Sequence, residues 1–201
     1  AASMGLELAP DEVAFRLNFV TEAEGKLVDY SAGHITTQEA KVLIGYLNEK
    51  LGTDSVRFHP GVSYRHICVI KDRMGMRGLS AACDAPHNIM SGTVEAHCPQ
   101  GPGDGLLKKI MTDAKLLLQE HEINHVRVDL KENPANMIWL WGQGVMPNLP
   151  SFQEKFGLKG ALISAVDLLR GIARLARLDV IEVPGITGYL DTNYEGKAQY
   201  G

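Results

Sequence analysis

The segment His121-Glu122-Ile123-Asn124-His125 has the spacing with which one helix face presents two imidazoles to a zinc ion, with the glutamate as general base. A zinc hydrolase would need a third ligand, for which Glu154 is a free guess. The carrying helix, however, reads as ending here: Asn124 suits a helix C-terminus, and Val126-Arg127-Val128-Asp129-Leu130 alternates like an extended segment. The pattern is therefore read as a chance match. Gly101-Pro-Gly-Asp-Gly105, opening a helix, has the glycine content of a phosphate cradle but lacks the Lys-Ser/Thr ending and the preceding strand. It reads as a linker with Asp104 as N-cap. Arg170, Arg174 and Arg177 crowd the end of a helix, where positive charge complements the helix dipole. Cys68, Cys83 and Cys98 are odd in number and show no Cys-x-x-Cys spacing, against a disulfide framework or a cysteine zinc site. A reducing, cytoplasmic setting is expected.

These residues need elements to hold them. Glu12 to Thr21 alternates around Val13, Phe15, Leu17 and Phe19, a half-buried strand with Arg16 and Asn18 on its opposite face. Lys26 to Tyr30 pairs back after Glu24-Gly25. Thr36 and Glu39 form a capping box for a helix with Ala40, Leu43, Ile44, Leu47 and Leu51 inward and Gly52 at its end. Val56 to His59 and Tyr64 to Lys71 are two more strands. Asp72 to Gly105 is a long irregular stretch, which in a compact domain is functional or mobile. A second helix follows, with Leu107, Ile110, Met111, Ala114, Leu117, Leu118 and His121 in one stripe.

Met137 to Trp141 is a continuous apolar run, expected of a parallel strand covered on both faces. Gly142, Gly144, Pro147 and Pro150 then form a loop at its carboxyl end, the place where open α/β sheets bind ligands. A third helix spans Lys159 to Leu178, with Leu162, Val166, Leu169 and Ala173 buried, and Val180 to Val183 is a short strand. Met137 to Val183 thus reads as one βαβ unit. The pattern breaks at Glu132-Asn133-Pro134, so the domain boundary is expected at Lys131 to Ala135.

With 201 residues, 45% hydrophobic and 22% charged, the chain suits one large domain or two small ones. A net charge of −4 and a pI near 6.0 leave no electrostatic footprint for nucleic acid or an anionic membrane, so neither partner is expected. Ala1-Ala2-Ser3-Met4-Gly5 has neither the charged n-region nor the apolar core expected of a signal peptide, and the absence of methionine at position 1 suggests a fragment. Homo-oligomerisation is left open by the sequence.

Trp141-Gly-Gln-Gly-Val-Met-Pro-Asn-Leu-Pro-Ser-Phe152, followed by Gly157 to Arg174, resembles the archaeal-type, cofactor-independent phosphoglycerate mutases of the alkaline phosphatase-like superfamily. So do Ala14 to Phe19, Ala32-Gly33-His34-Ile35-Thr36, Gly185-Ile186-Thr187-Gly188 and Thr192-Asn193, in the same order along nearly the whole chain. The resemblance implies an α/β fold with an α+β cap. The cap would be an antiparallel or mixed sheet with helices at residues 11–130. It would be joined to a βαβ piece of a phosphatase-like, parallel-sheet core at residues 135–201.

The implied activity is interconversion of 3-phosphoglycerate and 2-phosphoglycerate through a phosphoserine enzyme, using two divalent ions, manganese, magnesium or zinc. Nothing in the chain matches the family's Ser-Asp-x-x-His or Gly-Asp-His motifs. The nucleophile and metal ligands are therefore expected outside it, no metal is expected in it, and the isolated chain is expected to be inactive. What it can supply is the grip on substrate. Arg16, in Phe-Arg-x-Asn-Phe, His34, Arg65, which opens a strand, and His87, in Pro86-His87, match the family's pattern, with Lys197 a fifth candidate. Arginine suits this role because its planar fork takes carboxylate or phosphate bidentately. After His87 the chain departs from the family loop: Asn88 and Ser91-Gly92-Thr93 stand where an acidic residue and Gly-Lys are usual. A stand-alone phosphate- or sugar-binding α/β module is the alternative reading.

Overall fold

The computed structural model describes residues 1–201. The chain divides into two compact units, one of Leu8–Val145 and one of Ala1–Glu7 with Met146–Gly201.

The larger unit is built on β1, Glu12–Ala23. It lies between β4 (Arg65–Lys71) and β5 (Met137–Gly144), antiparallel to both; β2 (Lys26–Asp29) pairs with its end, and β3 (Val56–Val62) with the far side of β4. Val13, Phe15, Leu17 and Phe19 are fully buried, opposite Ile70, Cys68, His66 and, on β5, Leu140 and Ile138. Apolar surface of this extent has to be covered. Helices α1 (Thr37–Leu51) and α2 (Asp104–Gln119) bring to the same core Leu43, Ile44 and Leu47, and Leu107, Met111 and Leu118. Burying side chains of this size contributes roughly 1.5–3 kcal/mol each. The α1 capping box is present: Glu39 N–H donates to Thr36 Oγ1 at 3.2 Å and Thr36 N–H to Glu39 Oε2 at 3.0 Å. The Asn48 side chain exchanges two hydrogen bonds with the Phe58 backbone, fixing α1 to β3.

The irregular chain between β4 and α2 crosses the other face of the sheet. Trp139 Nε1 donates to the Asp84 carbonyl at 2.8 Å and Gln143 Nε2 to that of Ala81 at 2.6 Å. This cover explains a departure from the sequence-based expectation. The run Met137 to Trp141 is apolar because both faces are covered, yet β5 is antiparallel to β1 and continues to Gly144. Burial on two faces dictates composition and leaves strand direction unspecified. The division between units consequently falls at Val145/Met146 rather than at Lys131 to Ala135, because β5 is hydrogen-bonded into the β1 sheet.

Three local readings also change. Asp104 is the first helical residue, not the cap; Gly103 holds the cap position at φ 88°, and Asp104 pairs with Lys108. Val126 to Leu130 lies within or at the end of a helix, α3 (Glu122–Asp129). There the alternating apolar side chains Val126, Val128 and Leu130 are the exposed ones, and Arg127 is buried. His121 lies outside α2 and caps α3, its Nδ1 accepting from Ile123 N–H while its ring packs on Tyr46. It therefore does not share a helix face with His125 as zinc ligation would require.

In the smaller unit a Ser151/Glu154 capping box starts α4 (Phe152–Phe156). Strands β6 (Ala161–Leu162) and β7 (Asp179–Val180) are parallel and joined through α5 (Asp167–Leu175), and α6 (Tyr194–Tyr200) ends the chain. The βαβ element thus starts at Ala161, not Met137. Its helix is shorter than Lys159 to Leu178, and Val166 and Leu169 are exposed while Ala173 is buried. Arg170 pairs with Glu182, and Arg174 donates to the carbonyls of Ala2 and Ser3.

Candidate functional site

Strand alternation puts Arg16 and Asn18 on the face of β1 opposite Phe15 and Leu17. The register sets Arg16 across from Trp141, and Asn18 across from both Arg65 and Trp139. Arg16 is exposed and sits over Trp141, its guanidinium carbon 4.1 Å from the ring centroid. Gly142, at φ 57°, is what permits this: a Cβ there would stand 3.0 Å from Arg16 Cδ. Trp141 is oriented in turn by its indole N–H, which donates to Asn18 Oδ1 at 3.1 Å. The amide of Asn18 donates onward to the Tyr30 carbonyl at 3.2 Å.

From Trp141 the aromatic contacts continue edge to face. His87 lies 5.4 Å from the Trp141 ring and 6.3 Å from Tyr30; Tyr30 lies 5.9 Å from Tyr64; and His34 lies 5.9 Å from Tyr64. The Arg65 guanidinium is 5.3 Å from the Tyr64 ring. Four of the five residues singled out in the sequence, Arg16, His34, Arg65 and His87, are thereby linked through Tyr30, Tyr64 and Trp141. Lys197 belongs to the smaller unit, on α6, with its ammonium 5.5 Å from the Tyr194 ring.

Arg57, Arg127, Arg170 and Arg177 each pair with a glutamate, whereas Arg16 and Arg65 meet no carboxylate and rest instead on aromatic rings. A guanidinium resting on a ring keeps its donors free, and the ring limits its freedom at little desolvation cost. Both guanidinium groups and both imidazoles are exposed, and a guanidinium fork of this kind takes carboxylate or phosphate oxygens bidentately.

The turn carrying His34 is held from behind. Asp29 accepts from Ser31 N–H, Ser31 Oγ, Gly33 N–H and Asn133 Nδ2. Burial opposes ionisation of Asp29, but the hydrogen bonds from Asn133, Ser31 and Gly33 outweigh it and keep its carboxyl below the usual range. A cleft of about 630 Å³ beside this turn is lined by His34, Thr36, Glu39, Arg127, Glu132 and Asn133. Its buried arginine is already neutralised by Glu39 and Glu132, so the cleft is a poor anion site.

Sequence reading passed over Tyr30, Tyr64 and Trp141. Trp141 was hidden as the last member of an apolar run, within a strand that continues to Gly144. Tyr30 and Tyr64 follow no periodicity, and only the antiparallel register discloses them. Asn18 was legible as the face-mate of Arg16, but not as the orienter of Trp141.

The family model for 2,3-bisphosphoglycerate-independent phosphoglycerate mutase matches residues 1–124. A protein of that name from Methanosarcina acetivorans is 50% identical over 198 residues, covering 98% of this chain and 49% of its own length. A second, from Methanothermobacter thermautotrophicus, is 45% identical over 201 residues, with 100% and 49% covered. The chain thus spans about half the length of these relatives. Among solved structures, the cofactor-independent phosphoglycerate mutase from Thermoplasma acidophilum aligns with a TM-score of 0.59 at 26% identity, covering 92% of this chain and 50% of that one. A protein from Pyrococcus horikoshii aligns with a TM-score of 0.69 at 25% identity, covering 98% and 45%. The match of the family model over more than half the chain shows that it belongs to the 2,3-bisphosphoglycerate-independent phosphoglycerate mutase family.

Proposed function

We propose that the whole protein interconverts 3-phosphoglycerate and 2-phosphoglycerate and that Leu8–Val145 is the cap that grips the glycerate while its phosphate changes oxygens. The observation that carries this reading is the pair of exposed arginines without carboxylate partners, Arg16 and Arg65, joined through aromatic rings to His34 and His87 on one region of the sheet. A substrate with a carboxylate and a mobile phosphate needs cations fixed before it arrives, so that charge is met without reorganisation. Two arginine forks anchored on rings meet that need, and the imidazoles add donors at shorter reach. Lys197 lies in the smaller unit, which we read as part of the phosphatase-like core, and is proposed as a substrate contact of that unit.

Passage through a phosphoserine enzyme, a place in glycolysis and gluconeogenesis, and a cytoplasmic location complete the reading. Three free cysteines are compatible with a reducing compartment, and no helix is long and apolar enough to cross a membrane. No group of three His, Cys, Asp or Glu side chains in this chain could hold a metal ion. The residues present therefore do not fit the two divalent ions of the superfamily, and no step of the cap's action is routed through them.

Titrating the chain with 3-phosphoglycerate while following the ring signals of His34, His87 and Trp141 by NMR tests the grip. Saturable shifts at all three, absent with glycerol and weakened in Arg16→Ala, are expected. Unchanged ring signals at millimolar ligand would contradict the reading.

A further inference from the structure

Ala32, Gly33 and His34 occupy the left-handed region in succession, at φ 48°, 63° and 53°. Two of the three carry side chains, for which this conformation is unfavourable, so something outside the turn must impose it. The imposing group is on α3. Arg127 is 4% exposed, and its NH2 donates to the Ala32 carbonyl at 3.0 Å. Its Nε donates to the Asn133 carbonyl at 3.0 Å, and Asn133 Nδ2 returns to Asp29, which holds Gly33 N–H. Its NH1 is shared by Glu39, the residue that closes the α1 capping box, and Glu132. Gly33 leaves no spare room: a Cβ there would be 3.0 Å from Arg127 NH2 and 3.3 Å from the Asn133 carbonyl.

All three nitrogens of this guanidinium are thus engaged, by the turn before α1 or by groups next to it. The product of the arrangement is His34, exposed, against Tyr64. The geometry points to Arg127 as a positioning residue for substrate binding: it touches no substrate, and it holds the strained Ala32-Gly33-His34 turn so that the His34 imidazole joins the cationic group. This rests on the clamp reading of His34. Arginine is required because one planar group must serve three directions at once, which a lysine ammonium on a flexible stem does not reproduce.

Two measurements test it. In histidine ring NMR spectra of this chain, Arg127→Lys should move the His34 signal toward its value in an unstructured peptide while the buried His66 signal stays in place. Asp29→Asn, which weakens the same turn without touching the arginine, should do likewise if Arg127→Lys fails to fold. In the full-length protein Arg127→Lys should lower kcat/KM about fivefold to tenfold, but less than about twofold in a His34→Ala background, since a residue acting through His34 has nothing left to position. An unmoved His34 signal, or an equal loss with and without His34, would overturn the role of Arg127. If His34→Ala alone is silent while Arg16→Ala and Arg65→Ala lower kcat/KM, the positioning role falls and the clamp stands without His34. If none of the three lowers it, the clamp reading itself has failed.

Discussion

The two faces of β1 are made from alternate residues of one strand and obey different rules. On one face Val13, Phe15, Leu17 and Phe19 are fully buried beneath helical side chains, and almost any large apolar residue of the right volume would satisfy them. On the other, Arg16 and Asn18 are fixed by particular partners, Trp141 and Tyr30, through directional contacts. The first face holds the fold together by area removed from water; on the second, at Arg16 and Asn18, directional contacts set where each side chain lies. Substitutions should therefore separate into those that cost stability and those that cost binding.

The largest expected effect is on the buried face. Phe15→Ala should lose about 3–5 kcal/mol of stability through transfer and cavity terms, read by urea denaturation of the chain. A loss below about 1 kcal/mol would mean that the two faces do not differ as described.

His66 sharpens the comparison, because it is a titratable group on the buried face. Its Nδ1 accepts from Gly61 N–H at 2.9 Å, and burial lowers its pKa to about 4. The unfolded chain takes up this proton near pH 6.5, so between pH 6.5 and 4 the unfolded state binds more protons and stability falls as the pH falls. The group should contribute about 3 kcal/mol of acid sensitivity across that window, with its contribution fully present above pH 6.5. In His66→Leu that part of the loss between pH 7 and 4.5 should disappear; identical acid sensitivity in both proteins would contradict a buried neutral ring.

The smallest of these effects is local. Thr36→Ala removes the hydroxyl that accepts from Glu39 N–H and should cost about 1 kcal/mol, measured as a lowered melting temperature. Since Glu39 also meets Arg127, a larger loss would show that the capping box and the His34 turn fold as one piece.

What could be read from sequence follows the same division. The period of two in β1, the stripe of α1 and the Thr36/Glu39 box were legible because burial and capping leave a mark within a few residues. The direction of β5 was not, since coverage on both faces erases the alternation by which a parallel and an antiparallel strand differ. The helical state of Val126 to Leu130 was hidden by alternating valines that turn out to be exposed, while the buried residue is a charged one. Arg16, His34, Arg65 and His87 were named from motif resemblance; the rings that link them lie far apart in sequence and meet only once β1, β4 and β5 are in register.

The most direct test of the clamp is steady-state kinetics of Arg65→Ala and Arg65→Lys in the full-length protein, with thermal melts alongside. Losing a charge-assisted contact worth roughly 1.5–3 kcal/mol should lower kcat/KM about tenfold to a hundredfold in the alanine variant. Lysine should recover only part of that, and melting should be unchanged within about 0.5 kcal/mol. Wild-type kcat/KM in Arg65→Ala would contradict the account.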